Sequence, residues 1–403
     1  MLVRACRSST RRGYRNFTVL ALESSADDSC AAVVDSRRNV LSNIVEKHPP
    51  YGNGNHQLGI HPYVAVERHQ RNMPIVIQRA LREAAMSMND IDGIAFTRGP
   101  GMAGCLAVAA NAGRGIAAAL DKPIIGVHHM QAHALTPMLT AKEPPKFPFL
   151  TLLLSGGHSL LLVVHSPTKF HTLATTTDCS IGQALDSVAR LLGLSWHDEN
   201  GHLIGPGAAL ERLARQSSPA GEDLPGVPKF PLACEHHLAF SFAGPKGEVS
   251  KYLKSLRPEA LNDQGLRIAI AASFQKAVMG QVEEKVRLAL KWADRHNVPI
   301  TSLVASGGVA SNLYLRERLE QVLGGYSPQL PLICPPLHMC TGEPSVFNHL
   351  PNMSDSTGFS DNAAMIGWAS MYRFLERDHD ALDIDLLPSW ALKDLDTPLP
   401  IVE

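Results

Sequence analysis

Phe147-Pro-Phe-Leu-Thr-Leu-Leu-Leu-Ser-Gly-Gly-His-Ser-Leu-Leu-Leu-Val-Val164 runs for 18 residues without an Asp, Glu, Lys or Arg. A membrane helix needs roughly 20 predominantly apolar residues, and this stretch breaks in its middle. Ser155-Gly156-Gly157-His158 separates two Leu/Val-rich arms. Gly-Gly between two β-like runs reads as strand, turn, strand. The segment is therefore expected to be a hairpin inside a folded domain, with strands Phe149–Leu154 and Ser159–Val164, and no membrane partner is expected.

The same theme occurs nearer the start. Phe17–Leu22 is a short apolar run, Glu23–Ser29 a small polar loop, and Cys30–Val34 a returning strand, followed by Val40–Val45. The two copies share a pattern and little identity. Tyr63–Met86 carries an apolar stripe (Val66, Met73, Ile77, Ala80, Leu81, Ala84) at helical spacing. Ile91–Thr97 reads as a strand, the Ala-rich stretch to Leu120 as a helix and Pro123–Val127 as a strand. Further on, helices are expected at Gly182–Leu192, Gln264–His296 and Leu313–Leu323, a strand at Ile300–Ala305, and a last helix from Asp361 to Leu375. Segments 216–231 and 337–360 read as surface insertions, and the residues after Leu386 as a Pro-punctuated tail. Alternating strands and helices give an α/β fold, and a twice-used hairpin implies two similar lobes with a cleft between them. The expected division is 17–148 for the first lobe, with 361–403 packing back on it, and 149–360 for the second.

The chain has 403 residues with 45% hydrophobic and 19% charged side chains, which excludes disordered, collagenous and coiled-coil classes. Its net charge is −1, unevenly placed. Residues 1–16 hold five arginines and no acid; the rest holds 32 basic against 38 acidic residues. An Arg- and Ser-bearing, acid-free start resembles a mitochondrial transit peptide, from which a matrix location is expected; a disordered basic tail is the alternative reading. Seven cysteines without a C-x-x-C pair speak against a zinc finger, a thioredoxin motif or a disulfide framework.

Three small-residue loops follow strands: Ser24–Ser29, Ser155–His158 and Ser306–Asn312. Such loops let backbone N–H groups approach a phosphate, and each alone is also an ordinary turn. There is no G-x-x-x-x-G-K-[ST], and no G-x-G-x-x-G follows the first strand, so neither a P-loop nor a Rossmann site is expected. His129 and His133 stand at i, i+4 and share a face if the segment is helical. That spacing suits a transition metal, although among 18 histidines it also arises by chance. Met130, where a zincin needs Glu, argues against a protease. Asp361 stands at a helix start as either an N-cap or a third ligand. Asp186 and Glu211 each read as a solvated face or as an acceptor for a ribose hydroxyl.

Together these motifs resemble the TsaD family of tRNA threonylcarbamoyladenosine transferases, along nearly all of residues 18–376. Leu22-Glu-Ser-Ser-Ala-Asp-Asp-Ser29 is similar to the family's I-E-T-S-C-D-D/E-T, and His61-Pro-Tyr-Val-Ala-Val-Glu-Arg-His69 to its V-P-E-x-A-S-R-x-H. Gly99–Gly104 resembles G-P-G-L-x-G, His128–His133 H-H-M-E-G-H, and Leu154–Ser159 V-S-G-G-H-T. Gly182–Ser187 is similar to G-E-A-F-D-K, Phe240–Lys246 to F-S-F-S-G-L-K, and Ser306–Asn312 to S-G-G-V-A-A-N; D-N-A-A-M-I stands intact at Asp361–Ile366.

The resemblance implies an actin/hexokinase/Hsp70-like (ASKHA) two-lobed fold. It implies one divalent metal per subunit (zinc, iron or magnesium) on His129, His133 and Asp361. Substrate contacts are implied at Leu154, Ser155, Gly156, Gly157, His158, Asp186, Gly207, Glu211 and Asn312, with Ser155, Gly156 and Gly157 offering N–H donors. The implied reaction moves a threonylcarbamoyl group from threonylcarbamoyl-AMP to N6 of the adenosine 3′ of the anticodon, in tRNAs reading codons that begin with A. A separate synthase supplies the adenylate, and organellar members are expected to work as homodimers. Asp27 is the candidate for steering the amine or taking its proton. Four departures stand out. Ala26 replaces a Cys, Gln131 a Glu and Pro245 a Leu, and about 19 residues separate Cys340-Thr341 from Asp361.

Two other classes compete. A non-catalytic nucleotide- or RNA-binding homologue is disfavoured by intact His129, His133, Asp361, Asp186 and Asn312. An ATPase or kinase of the same superfamily needs Mg²⁺-binding carboxylates rather than paired imidazoles. For a tRNA partner, Arg68, Arg71, Arg79 and Arg82 on one helix, with Lys251, Lys254 and Arg257, offer positive patches and read equally as solvated faces.

Overall fold

The computed structural model describes residues 16–26, 28–47, 61–195, 204–217, 227–326, 329–334 and 361–395. The basic segment up to residue 15, Asp27, most of segment 216–226 and the insertion after Cys340 lie outside the described residues.

Two five-stranded sheets share one plan. The first is built from β1 (Thr18–Glu23), β2 (Ser29–Asp35), β3 (Val40–Glu46), β4 (Gly93–Gly99) and β5 (Ile124–His128), in the order β3-β2-β1-β4-β5. The second contains β6 (Phe149–Leu154), β7 (Ser159–Val164), β8 (Phe170–Thr175), β9 (Leu303–Ser306) and β10 (Leu332–Ile333), in the order β10-β9-β6-β7-β8. In each, three antiparallel strands are followed by two parallel ones. The opening hairpins are equivalent: Leu20 faces Val33 in the first and Leu152 faces Leu161 in the second. The duplication read from two hairpins thus extends to whole sheets.

Side-chain alternation sorts the apolar residues between faces. Leu150, Leu152 and Leu154 of β6 enter one core with α4 (Ile181–Leu191), α5 (Pro206–Ala214), α6 (Ala243–Ser255), α7 (Gln264–Arg295) and α8 (Leu313–Gly324). Phe149 and Leu153 enter another, which also holds Val19 and Ala21 of β1. Between the sheets in that shared core lie α3 (His129–Thr140) and α9 (Ala363–Glu376), through Met130, Leu135, Met365, Ile366 and Trp368. The first sheet's other face is covered by α1 (Pro62–Glu83) and α2 (Ala103–Leu120). Strands buried on both faces read as unbroken apolar runs, which is why β1 and β6 are legible.

Some elements differ from expectation. Phe170–Thr175 forms edge strand β8, and Ala243–Ser255 is helical despite Gly244, Pro245 and Gly247. Helix α6 is capped from outside: Asp178 accepts from Phe242 N (3.0 Å), Ala243 N (3.4 Å) and the Ser241 hydroxyl (2.5 Å). Among the described residues after Leu386, Leu392 is buried in the shared core. No disulfide joins the described cysteines Cys30, Cys105, Cys179, Cys234 and Cys334 to one another.

Candidate metal centre and substrate loops

Strand β5 ends at His128 and helix α3 begins at the next residue, so His129 and His133 project from the first turns of a helix between the sheets. His128 Nδ1 accepts from Met130 N (3.1 Å) and Gln131 N (3.4 Å), which makes His128 the N-cap. At the start of α9, two adjacent residues are competent caps. Asn362 takes that role, accepting from Met365 N at 3.0 Å. This corrects the cap reading of Asp361 and leaves its carboxylate free to face α3.

The three side chains converge. His129 Nε2 and His133 Nε2 are 3.1 Å apart, and Asp361 Oδ1 lies 3.3 Å from the first and 3.1 Å from the second. Ligands on a tetrahedral ion with bonds of about 2.0–2.1 Å are about 3.3 Å from one another, so the donor triangle has the dimensions of one face of a metal site. The donor set of two imidazoles and one carboxylate fits a divalent transition metal.

The far side of His129 is also built. Its Nδ1 lies 3.3 Å from Glu23 Oε2 and 3.3 Å from the Ser25 hydroxyl. Glu23 is fully buried; its Oε1 accepts from Ser25 N at 2.5 Å, and the Thr97 hydroxyl donates to Oε2. A carboxylate behind a ligating imidazole fixes its tautomer and raises its basicity. Burial opposes a charge on His129, yet Asp361 and Glu23 raise its pKa to about 10. Burial would push both carboxyls up, but His129 beside them holds Glu23 below its usual range and, with His133, Asp361 well below it. Metal-free, the site thus keeps a proton where a cation belongs. Glu23 was visible in the first loop motif, and a charged residue ending an apolar strand was the signal for it.

His158 comes from the β6–β7 turn and places its ring 6.5 Å from that of His129. Burial, then the neighbouring His129 and His133, lower its pKa to about 4, so it is a neutral imidazole at pH 7. The turn itself differs from expectation. Ser155 N donates to His158 O (2.9 Å), and the Ser155 hydroxyl accepts from Gly157 N (3.2 Å) and His158 N (3.0 Å). Ser155 and Gly157 therefore spend their N–H groups inside the turn, and the N–H cradle is not presented in the form the sequence suggested.

Two glycines press on this turn. A Cβ on Gly182, at the start of α4, would lie 2.6 Å from Ser155 O and 2.7 Å from Gly156 Cα. Gly307, at φ +94°, lets the β9–α8 loop close on the Leu154 carbonyl, where an added Cβ would overlap backbone. The Ser180 hydroxyl donates to Gly156 O at 2.5 Å. Neither Gly182 nor Ser180 stood out as a site residue beforehand.

A second group joins the middle of α4 and of α5 to the first turns of α5 and α8. Asp186 accepts from Gly207 N, and burial raises its carboxyl against that bond and Arg190. Glu211 accepts from Leu313 N at 2.8 Å; burial raises it too, against Leu313 N, Arg215 and Arg316. Asn312 is 5% exposed, caps α8 by accepting from Leu315 N (3.0 Å) and donates to Gln275 Oε1 (3.1 Å). Both ends of its amide thus hold the loop in place. The α1 arginines are less free than they read: Arg71 pairs with Glu67 at 2.6 Å and Arg79 with Glu46 at 3.0 Å. Lys251 stands 3.9 Å from Glu248.

Two duplicated sheets facing one another across α3 and α9, with the connecting loops gathered around a His-His-Asp cluster, define an ASKHA-type α/β protein. The solved structure of HypF from T. kodakarensis is similar in fold, with a TM-score of 0.53 and 14% identity over 90% of this chain and 48% of that one. The family model described as TsaD, tRNA N6-adenosine threonylcarbamoyltransferase, matches residues 37–343, and the chain belongs to that family of transferases. A tRNA N6-adenosine threonylcarbamoyltransferase of Novosphingobium aromaticivorans is 36% identical over 94% of this chain and 97% of its own length. A probable mitochondrial tRNA N6-adenosine threonylcarbamoyltransferase of Arabidopsis thaliana is 34% identical over 94% of this chain and 75% of its own.

Proposed function

We propose that this chain is the mitochondrial matrix tRNA N6-adenosine threonylcarbamoyltransferase, acting on the adenosine 3′ of the anticodon in tRNAs that read codons beginning with A. The observation that carries this reading is the donor triangle of His129, His133 and Asp361, backed by Glu23, in a chain of the TsaD family. Residues 17–148 with 361–403 form one lobe and 149–360 the other. The protein works as a homodimer on adenylate supplied by a separate synthase. Residues 1–16 are the targeting segment.

The adenosine N6 amine attacks the carbamoyl carbon of threonylcarbamoyl-AMP. The bond from that carbon to the phosphate oxygen breaks, AMP leaves, and the amine gives up a proton. His129 Nε2, His133 Nε2 and an Asp361 oxygen would hold a divalent metal, which would supply Lewis acidity to the reaction; two imidazoles favour a transition metal over magnesium. Glu23 keeps the His129 ring turned so that Nε2 faces Asp361. Neutral His158 stands beside the centre, able to accept or donate one hydrogen bond. Ser155–Gly157 bind the acyl-adenylate: turning the Ser155 hydroxyl away releases Gly157 N and His158 N, while Ser155 N stays with His158 O. Asp186, with one lone pair engaged by Gly207 N, accepts a ribose hydroxyl, as does Glu211. Asp27 steers the amine or takes its proton.

A hydrogen bond to a charged group is worth about 1.5–3 kcal/mol. Asp186→Ala therefore weakens AMP binding by about one to two decades, read by calorimetry on the metal-loaded protein. Unchanged AMP affinity would remove Asp186 from the nucleotide site.

The location is tested by deleting residues 1–16. The shortened protein keeps its transferase rate in vitro but fails to restore the modified nucleoside to mitochondrial tRNA in a strain lacking the gene. Restoration by the shortened protein would show that the segment is not the targeting signal.

A further inference from the structure

The segment that follows α9 runs back across the molecule. It leaves α9 through Asp380, whose N–H donates to Ile124 O at 2.9 Å beside β5. The Arg98 side chain then donates to Asp385 O at 2.6 Å, and Leu387 N donates to Arg98 O at 3.0 Å. Gly101 N donates to Pro388 O at 3.1 Å, which ties the segment to the β4–α2 loop. Trp390 comes next, and beyond it Leu392 is buried in the core shared by both sheets, where its short helical turn packs beside β8. Two sheets and the β4–α2 loop are therefore bound by one strap.

Trp390 meets the strap's most consequential partner. Its ring packs on the His128 ring with centroids 4.6 Å apart, while the Arg98 guanidinium lies 5.3 Å from the Trp390 ring centroid on the strap's other contact. His128 Nε2 lies 3.2 Å from Trp390 O. A backbone carbonyl only accepts, so the proton of His128 sits on Nε2. That leaves Nδ1 as an acceptor, as its two bonds from Met130 N and Gln131 N require. The strap bond and the helix cap thus select the same tautomer. The helix so capped starts at His129 and carries His133 one turn later.

We propose that residues 387–395 form a positioning strap for the metal centre, in which Trp390 acts through His128 to set the first turn of α3 and so the aim of His129 and His133 at Asp361. This rests on the metal reading given above. Neither Trp390 nor His128 touches a substrate in this account; both are positioning residues.

The test uses the full chain and cobalt(II) as probe, since its visible absorption reports ligand geometry and its affinity is measured without any transfer reaction. Trp390→Ala removes the ring, and His128→Asn keeps a capping oxygen while losing the bond to Trp390 O. Both should bind cobalt about tenfold or more weakly, the effect typical of groups that orient ligands, with altered absorption, while the metal-free proteins melt close to wild type. Trp390→Phe, which keeps an aromatic ring on His128, should restore affinity and spectrum. Wild-type cobalt affinity and spectrum in both Trp390→Ala and His128→Asn would overturn the proposal. So would a loss of melting temperature with unchanged affinity, which marks a merely structural strap. A wild-type chain that binds no cobalt overturns the strap and the metal reading together. Normal cobalt binding without transfer to tRNA would overturn the proposed function and leave the strap to be judged on the variants.

Discussion

His133→Ala protein folds, melts within a few degrees of wild type, and neither retains a divalent metal nor transfers a threonylcarbamoyl group. His133 touches one carboxylate, Asp361, through Nε2. Its removal leaves Asp361 still beside His129 at 3.3 Å, so no buried charge is stranded. His129→Ala is the harsher change, because it leaves Glu23 and Asp361 without the imidazole between them, and a buried charge that loses its partner is strongly destabilising. Removing an orienting partner typically costs 10–100-fold in metal affinity. Losing one of three protein ligands should exceed about 100-fold on that scale. Metal analysis after gel filtration, beside a melting curve, checks the result; stoichiometric metal on His133→Ala would show that the centre is elsewhere.

Gly182→Ala should cut kcat/KM for the adenylate by about 100-fold while metal content stays normal. The added methyl would meet Ser155 O at 2.6 Å, Gly156 Cα at 2.7 Å and Gly156 N at 2.9 Å, all of them backbone. The Ser155–His158 turn must therefore move. A displacement of about 1 Å at a substrate-positioning group can cost 10²-fold. Stability should change little, because about 1 kcal/mol of better helix propensity for Ala over Gly offsets part of the about 1–3 kcal/mol cost of overpacking. Steady-state kinetics with metal quantified in the same sample makes the comparison. An alanine variant with the wild-type rate would mean that this turn does not position substrate.

Local signals account for most of what the sequence revealed. Gly156-Gly157 between two apolar arms marks the β6–β7 hairpin, and His129 with His133 needs only one helical turn to share a face. Asp361 is separated from His133 by 228 positions, so no spacing rule links them; the family motifs did. Asp361-Asn362 is a pair of equally good caps, and only the packed structure gives the cap to Asn362. Strand β8 alternates imperfectly at a sheet edge. Helix α6 starts with poor helix formers and depends on Asp178, more than sixty residues earlier, for its cap. The strap at 387–395 looked like a tail because its order comes from Arg98, Gly101 and His128, not from its own residues. Ser155 and Gly157 were read as open N–H donors because the sequence does not show that the Ser155 hydroxyl fills the turn.

The most direct measurement combines the purified chain, a divalent transition metal, threonylcarbamoyl-AMP and an unmodified mitochondrial tRNA that reads codons beginning with A, with no other protein present. Nucleoside mass spectrometry of the digested tRNA and AMP release are followed together. The account predicts N6-threonylcarbamoyladenosine at the position 3′ of the anticodon, matched by an equal amount of AMP. AMP release with unmodified tRNA, or no turnover of the adenylate by metal-loaded protein, would contradict it.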